Sequence, residues 1–353
     1  MAGLSVNDLY KAKHVSLDTD PNLPNELNTF YCRFENKNST QPFTVDASDP
    51  TAPPFLIREH EVRNLLCRQN SRKAAGPDQI SPASLKHCAY ELAPILTDIF
   101  NCSLAQQKVP DCFKSAVIVP VPKKNNPSCM NDYRPIALTS VIMKVFERLV
   151  CNHLSSVTQE PYQFAYRGNR SVDDAVSLCL HSILQHLEGP GNYARVLFVD
   201  FSSAFNTILP SRLYDKLLHM GVQQSLCRWV LDFLTGRVQV VKCHNKTSKP
   251  LTISTGAPQG CVLSPLLFSL YTNDCISHCQ SVGLFKFADD TTVVGLITNN
   301  DETKYRNQIT SLVDWCSTNN LDLNPSKTKE VVVDFNRRHE DHLPLAVNNT
   351  EVQ

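Results

Sequence analysis

Residues 195–201 read Arg-Val-Leu-Phe-Val-Asp-Phe, and residues 285–290 read Phe-Lys-Phe-Ala-Asp-Asp. Each is a short apolar run closing on carboxylate. Four to eight apolar residues bounded by polar ones describe a buried strand. The second run is followed by Thr291–Ile297, a further β-branched stretch, so Asp289 and Asp290 fall at the tip of a hairpin. Rigid strand ends that present Asp side chains suit hard divalent cations, which take oxygen ligands and usually only one or two carboxylates from the protein. Two such ions can stabilise both the entering and the leaving oxygen of a phosphoryl transfer. Adjacent strand residues point to opposite faces, so Asp289 and Asp290 are not equivalent. Asp289 is the expected direct ligand and Asp290 the weaker one.

Outward from these runs the pattern alternates helices with strands. Leu27–Phe34, Leu56–Gln69 and Pro82–Gln107 read as helices, and Ser115–Val121 as a strand. Ile142, Val145, Phe146, Leu149 and Val150 recur at helical spacing. Ser171 is a candidate N-cap, with Asp173 and Asp174 in the first turn of a helix running to Leu187. Leu213–Leu234 is helical in two pieces, and Arg237–His244 with Leu251–Thr255 forms a hairpin. Val262–Cys279 and Asp301–Asn319 are expected helices, and Val331–Phe335 a last strand. The fold class is therefore α+β, with helices on one face of a small antiparallel sheet and a mainly helical segment before it.

The 353 residues carry 34 Lys+Arg against 34 Asp+Glu. A neutral total argues mildly against a nucleic-acid partner. The distribution argues for one, because residues 61–170 hold 14 basic and 8 acidic side chains while the first 60 hold 5 and 8. The 14 cysteines include no Cys-x-x-Cys, and Cys275, His278 and Cys279 lack a fourth zinc ligand nearby. Reduced thiols in an intracellular protein are expected. No stretch of about 20 apolar residues occurs, so no membrane span is expected.

The motifs together resemble a known family. Leu197–Phe205 resembles polymerase motif A of non-LTR (LINE-type) retrotransposon reverse transcriptases, and Phe287–Asp290 resembles motif C. Gly256–Pro265 resembles motif B, and Leu323–Thr328 motif D. Val119–Lys124 and Asn131–Ile136 resemble the finger motifs. They stand in the family's order over roughly residues 55 to 350.

The resemblance implies a right-hand polymerase fold and RNA-directed DNA synthesis, with RNA template, DNA primer and dNTPs as partners. Two Mg²⁺ ions, replaceable by Mn²⁺, would be held by Asp200, Asp289, Asp290 and the Phe201 carbonyl. Lys123 or Lys124, with Arg134, would bind the triphosphate. Phe205 would exclude a ribose 2′-OH, and Gln259 would touch the incoming nucleotide or template base. Lys327 would act on the leaving pyrophosphate as general acid or counter-charge. Lys73, Arg167 and Arg170 would contact nucleic acid. The implied domains are a leader at 1–55, an extension of the fingers at 56–102, and fingers with palm at 103–353. No endonuclease is recognisable before residue 55, and the family would continue beyond Gln353 into a thumb. The chain is therefore expected to be a piece of a retroelement product, with an inactive remnant as the alternative. A nucleus is implied because target-primed copying needs chromosomal DNA.

Overall fold

The computed structural model describes residues 22–35, 55–157, 160–189, 193–335, 342–347 and 350–352. The strands among them are β1 Ser115–Pro122, β2 Tyr133–Leu138, β3 Tyr193–Val199, β4 Arg237–Cys243, β5 Lys246–Thr247, β6 Leu251–Ile253, β7 Val282–Phe287, β8 Asp290–Ile297, β9 Lys329–Val333, β10 Ala346–Val347 and β11 Thr350–Glu351. The chain divides into two compact units, each built from two separate stretches. One is 1–157 with 210–264; the other is 158–209 with 265–353.

The first unit holds the sheet β2-β1-β4-β5, with β6 also on β4. β1 runs antiparallel to β2 and parallel to β4. β2 is an edge strand, which is where Pro135 is tolerated, since an edge residue needs no ladder N–H. The helix expected at Leu27–Phe34 lies at Leu23–Tyr31. It is no loose leader. Leu27 and Tyr31 share a buried cluster with Ile118, Ala137, Val241 and Cys243. Asn28 Nδ2 donates to Ser248 Oγ at 3.0 Å and to the Lys249 carbonyl at 2.8 Å, and Gln239 Nε2 donates to Asn28 Oδ1 at 2.7 Å. The rest of the expected leader, 1–21 and 36–54, lies outside the described residues.

A second core lies among the helices Ala89–Gln106, Val141–Leu154 and Gln224–Leu234. Phe100 stacks on Phe146 at 4.3 Å, and Phe146 lies 4.8 Å from Trp229. The indole N–H of Trp229 donates to Ser103 Oγ at 2.9 Å, so the largest buried side chain leaves no orphan donor.

The second unit contains the antiparallel sheet β7-β8-β3-β9. Alternation along β3 decides what each face carries. Ala194 and Val196 join Phe164, Ala175, Ile183, Phe285 and Val294 in a cluster beneath the Val172–Leu187 helix. Ser171 caps that helix, accepting from Asp174 N at 3.2 Å while Asp174 Oδ2 accepts from Ser171 N at 2.7 Å. Arg195 points the other way, 5.7 Å from the ring of Tyr305 on the Thr303–Thr318 helix. Helices therefore flank both faces rather than one.

Arg195 is fully buried and doubly paired, to Glu302 at 2.6 Å and to Glu330 at 2.6 Å. A buried charge survives only when paired and hydrogen-bonded. Tyr193 donates to Glu302 at 2.8 Å and Tyr305 to Glu330 at 2.6 Å, completing that requirement.

Two expected elements are shorter or shifted. The helix read over Val262–Cys279 covers only Ser264–Tyr271. Past it, the buried Lys286 ammonium collects the Thr272 and Cys275 carbonyls at 2.8 Å each, together with the Glu160 carboxylate at 2.8 Å. Those bonds satisfy carbonyls that a longer helix would have used. The last strand lies two residues earlier, at Lys329–Val333, in register with Phe198 to Ala194.

Glu147, also fully buried, accepts from Val262 N at 2.6 Å and Leu263 N at 2.9 Å. Burial pushes its pKa up to about 7, against the pull of those two N–H groups. A carboxyl raised from 4.5 in this way gives stability that is complete below about 4.5 and is lost as pH rises through about 7. Wild type should therefore lose stability relative to Glu147→Gln between pH 5 and 8, by roughly 3 kcal/mol. Urea denaturation of both at pH 5, 6 and 8 measures this; a constant difference across the three would refute it.

Candidate active site

β3 pairs with β8 so that Val199 faces Thr291. Continued by one residue, the ladder sets Asp200 opposite Asp290. The two carboxylate runs thus end side by side, at neighbouring-strand spacing of about 5 Å. Phe287 pairs with Asp290, leaving Ala288 and Asp289 as a two-residue hairpin loop. Ala288 takes φ 58°, a left-handed conformation uncommon for a residue with a Cβ. Ser203 and Tyr166 also have positive φ, 58° and 61°. Such conformations persist where surrounding structure holds them, and they gather at functional sites.

Asp289 is half-buried and Asp290 exposed. Burial raises the Asp289 pKa, and the charges of Asp290 and Asp200 raise it further. The two differ in exposure because Asp289 lies in the hairpin loop and Asp290 begins β8, not because they alternate along one strand. The same two carboxylates, after burial, raise Tyr166.

Asp200 is braced from the 320–328 segment. Asn324 Nδ2 donates to Asp200 Oδ2 at 3.2 Å, and the Lys327 ammonium lies 3.7 Å from the same oxygen. Asn324 N donates to the Asp200 carbonyl at 2.9 Å and Ser202 N to the Asp322 carbonyl at 2.8 Å, around a Phe201–Leu323 bridge. Bonds that flank a pair in this way turn the pair's own N–H and C=O outward. The Phe201 carbonyl therefore points away from Leu323, to the side of β3 on which β8 lies.

Phe205 sits in the Ala204–Asn206 turn, its ring 4.9 Å from that of Phe268. Arg167, expected on nucleic acid, is half-buried and donates to the Glu160 carbonyl at 2.7 Å and the Gln163 carbonyl at 3.4 Å. One nitrogen of its guanidinium thus supports its own loop. Arg170 stays exposed, 5.1 Å from the Phe164 ring.

The remaining expected residues lie in the first unit. Arg134 pairs with Val121, and Lys123 N donates to the Asp132 carbonyl at 2.7 Å. Lys123 Nζ donates to the Asn131 carbonyl at 2.7 Å, and Lys124 pairs with Asp132 at 2.9 Å. The Gln259 carbonyl accepts from Ala137 N at 2.7 Å. Gly260 has φ 117°, and a Cβ there would meet the Ala137 carbonyl at 2.7 Å, so that loop needs glycine. Arg237, not singled out from sequence, donates to the Thr255 and Gly256 carbonyls at 2.6 and 2.8 Å and so fixes the loop's entry. Lys73 is exposed.

A family model described as reverse transcriptase (RNA-dependent DNA polymerase) matches residues 121–349. The chain belongs to that family. The α+β architecture is the class expected from the sequence. Enzymes of that family use divalent metal ions. Among curated proteins, the chain is 28% identical over 330 residues to a probable RNA-directed DNA polymerase from transposon BS of Drosophila melanogaster. That match covers 86% of this chain and 36% of the relative. It is also 28% identical over 276 residues to the polymerase of mobile element jockey of the same organism, covering 74% and 29%. The chain spans about a third of the length of these relatives. A solved telomerase of Candida albicans, in complex with a fragment of telomeric RNA, aligns at 15% identity with TM-score 0.46, over 72% of this chain and 47% of that one.

The donor set fits divalent ions. Asp200 and Asp289 offer hard oxygen donors whose like charges oppose each other, which a cation would relieve. Among the described residues no three His, Cys, Asp or Glu gather into a protein-only cage, Cys275, His278 and Cys279 included. A site of two carboxylates completed by phosphate and water is the mode expected of Mg²⁺. All fourteen cysteines are free, and no described helix is long and apolar enough to cross a membrane.

Because Asp289 is raised, its ionisation costs the metal-free fold as pH climbs from 3.8 through the folded value. Without divalent ions at pH 7, Asp289→Asn should raise Tm by about 1–3 °C. Added Mn²⁺ should stabilise wild type by a few degrees and this variant far less. Differential scanning fluorimetry with and without EDTA measures both shifts; a lower metal-free Tm for the variant would contradict the reading.

Proposed function

We propose that the chain is the polymerase portion of a non-LTR retrotransposon protein, extending a DNA 3′-OH with dNTPs on an RNA template. The observation that carries this is the β3–β8 register, which brings Asp200 to the strand end where Asp289 and Asp290 lie. Bound divalent ions, Mg²⁺ or Mn²⁺, would supply charge stabilisation for the entering and leaving oxygens. Asp200 and Asp289 would hold both ions with the Phe201 carbonyl. Asp290, exposed at the start of β8, would act at longer range.

Within the same reading, Lys123 and Arg134 take the triphosphate. Continued one residue past Pro122, the β1–β2 ladder would set Lys123 diagonal to Arg134 on one face, which favours Lys123 over Lys124. Lys124 is the lysine paired with Asp132. Arg134 offers a planar fork to phosphate oxygens and Lys123 a point charge. Gln259 contacts the incoming nucleotide or the template base. Phe205, held from one side by Phe268, presents a ring against a ribose 2′-OH. Lys327, exposed beside Asp200, neutralises or protonates the departing pyrophosphate. Lys73 and Arg170 touch the nucleic-acid backbone. Copying at a nicked chromosomal target would place the reaction in the nucleus.

Primer extension on an RNA template tests the assignment. Asp289→Asn should lower incorporation by about three orders of magnitude and Asp290→Asn by about tenfold, since only the first removes a direct ligand. Phe205→Ala should raise incorporation of ribonucleotides relative to deoxynucleotides by roughly 10- to 200-fold, the range one steric contact supplies. Wild type no better than Asp289→Asn would leave an inactive remnant as the reading.

A further inference from the structure

The hairpin that carries Asp289 is held by a side chain that the proposed chemistry does not use. Gln163 lies in the 160–170 segment and is 4% exposed. Its Oε1 accepts from Ala288 N at 3.1 Å, and its Nε2 donates to the Ala288 carbonyl at 3.3 Å. One amide thus takes both backbone groups of the residue before Asp289. The same Oε1 accepts from Ala165 N at 3.1 Å, which fixes the amide's orientation from its own loop.

Simple attachment of the segment to the sheet does not require this. The segment already runs parallel to β7 in a backbone ladder: Phe164 N donates to the Lys286 carbonyl at 2.9 Å and Lys286 N to the Tyr162 carbonyl at 2.8 Å. The Glu160–Lys286 ion pair adds a second anchor at 2.8 Å. Gln163 reaches past both to the left-handed turn. Ala288 has φ 58°, which an alanine relinquishes readily unless held. A shift of about 1 Å in a catalytic group can cost on the order of 10²-fold in rate.

We propose that Gln163 is a positioning residue for the polymerase reaction, clamping Ala288 in its left-handed conformation so that the Asp289 carboxylate is fixed for cation binding. The inference rests on the function proposed above for Asp289. Its first test needs neither activity nor metal.

Gln163→Met keeps the side chain's length and apolar stem and removes every hydrogen bond of the amide. Hydrogen exchange of the peptide containing Ala288 should become at least about tenfold faster, with the β3 and β8 peptides unchanged. Mn²⁺ affinity, read by electron paramagnetic resonance on the full chain, should weaken at least about threefold. In primer extension, kcat should fall about 10- to 100-fold with the dNTP KM within about twofold. Unchanged exchange at Ala288 overturns the proposal, as does faster exchange spread evenly over the sheet. Local exchange that quickens without loss of Mn²⁺ affinity or kcat overturns it as well. If wild type neither binds Mn²⁺ nor extends a primer, the reading of Asp289 fails; local exchange then still decides whether Gln163 is the clamp. Should Gln163→Met not fold, Gln163→Glu keeps the acceptor for Ala288 N and loses the donor to its carbonyl. Smaller changes in the same direction are then expected, and none would overturn the clamp.

Discussion

The alignment of β3 against β8 is the constraint on which the second unit depends. A slip of one residue would turn Ala194 and Val196 out of the core and Arg195 into it on the wrong side. It would also carry Asp200 away from the end of the hairpin. Three things hold the register. The apolar set beneath the Val172–Leu187 helix fits one alignment. Arg195 meets Glu302 and Glu330 only in that alignment, and a buried guanidinium separated from its carboxylates is heavily penalised. β9 pairs along the far side of β3 and brings the Asn324 and Lys327 loop to Asp200. Positioning of the carboxylates is thus a consequence of core packing some distance from them.

Much of this was legible from local pattern. The β7–β8 hairpin and the capped Val172–Leu187 helix follow from alternation, a turn and an N-cap. What was not legible depended on partners distant in sequence. Tyr133–Leu138 carries Pro135, which conceals a strand until its edge position is known. The end of the Ser264–Tyr271 helix is set by Lys286, whose ammonium takes carbonyls 11 and 14 residues away. Leu23–Tyr31 belongs to a core because Asn28 meets Ser248, 220 residues on. Leu23, Leu27 and Tyr31 recur at helical spacing and mark an apolar face, but the residues that cover it, such as Ile118 and Val241, are distant in sequence.

At the candidate site the same distinction separates residues that hold from residues that would touch. Asp200, Asp289, Phe205 and Lys327 could be named from the chemistry and the family's motifs. Asn324 stands in the quoted 323–328 motif and Gln163 four residues before Arg167, yet their roles emerge only from the atoms they reach: Asp200 for the first and Ala288 for the second. Arg167 likewise has a local partner that its residue type did not announce: one guanidinium nitrogen closes on two carbonyls of its own loop.

The arrangement of charge explains why so much bracing is needed. Asp289 is half-buried and feels the charges of Asp290 and Asp200, so its ionised carboxylate is a local cost to the metal-free fold. An unbraced turn could relieve that repulsion by swinging Asp289 toward solvent. The left-handed Ala288 would favour the same escape, because leaving that conformation removes its strain. Gln163 opposes it at the turn, while Asn324 and Lys327 hold Asp200, and none of the three neutralises Asp289 itself. Lys327 is 66% exposed, and an ion pair so open to water is too weak to compete with a divalent ion for Asp200. The charge is therefore kept in place and left uncompensated, which is the condition in which a cation gains most by binding.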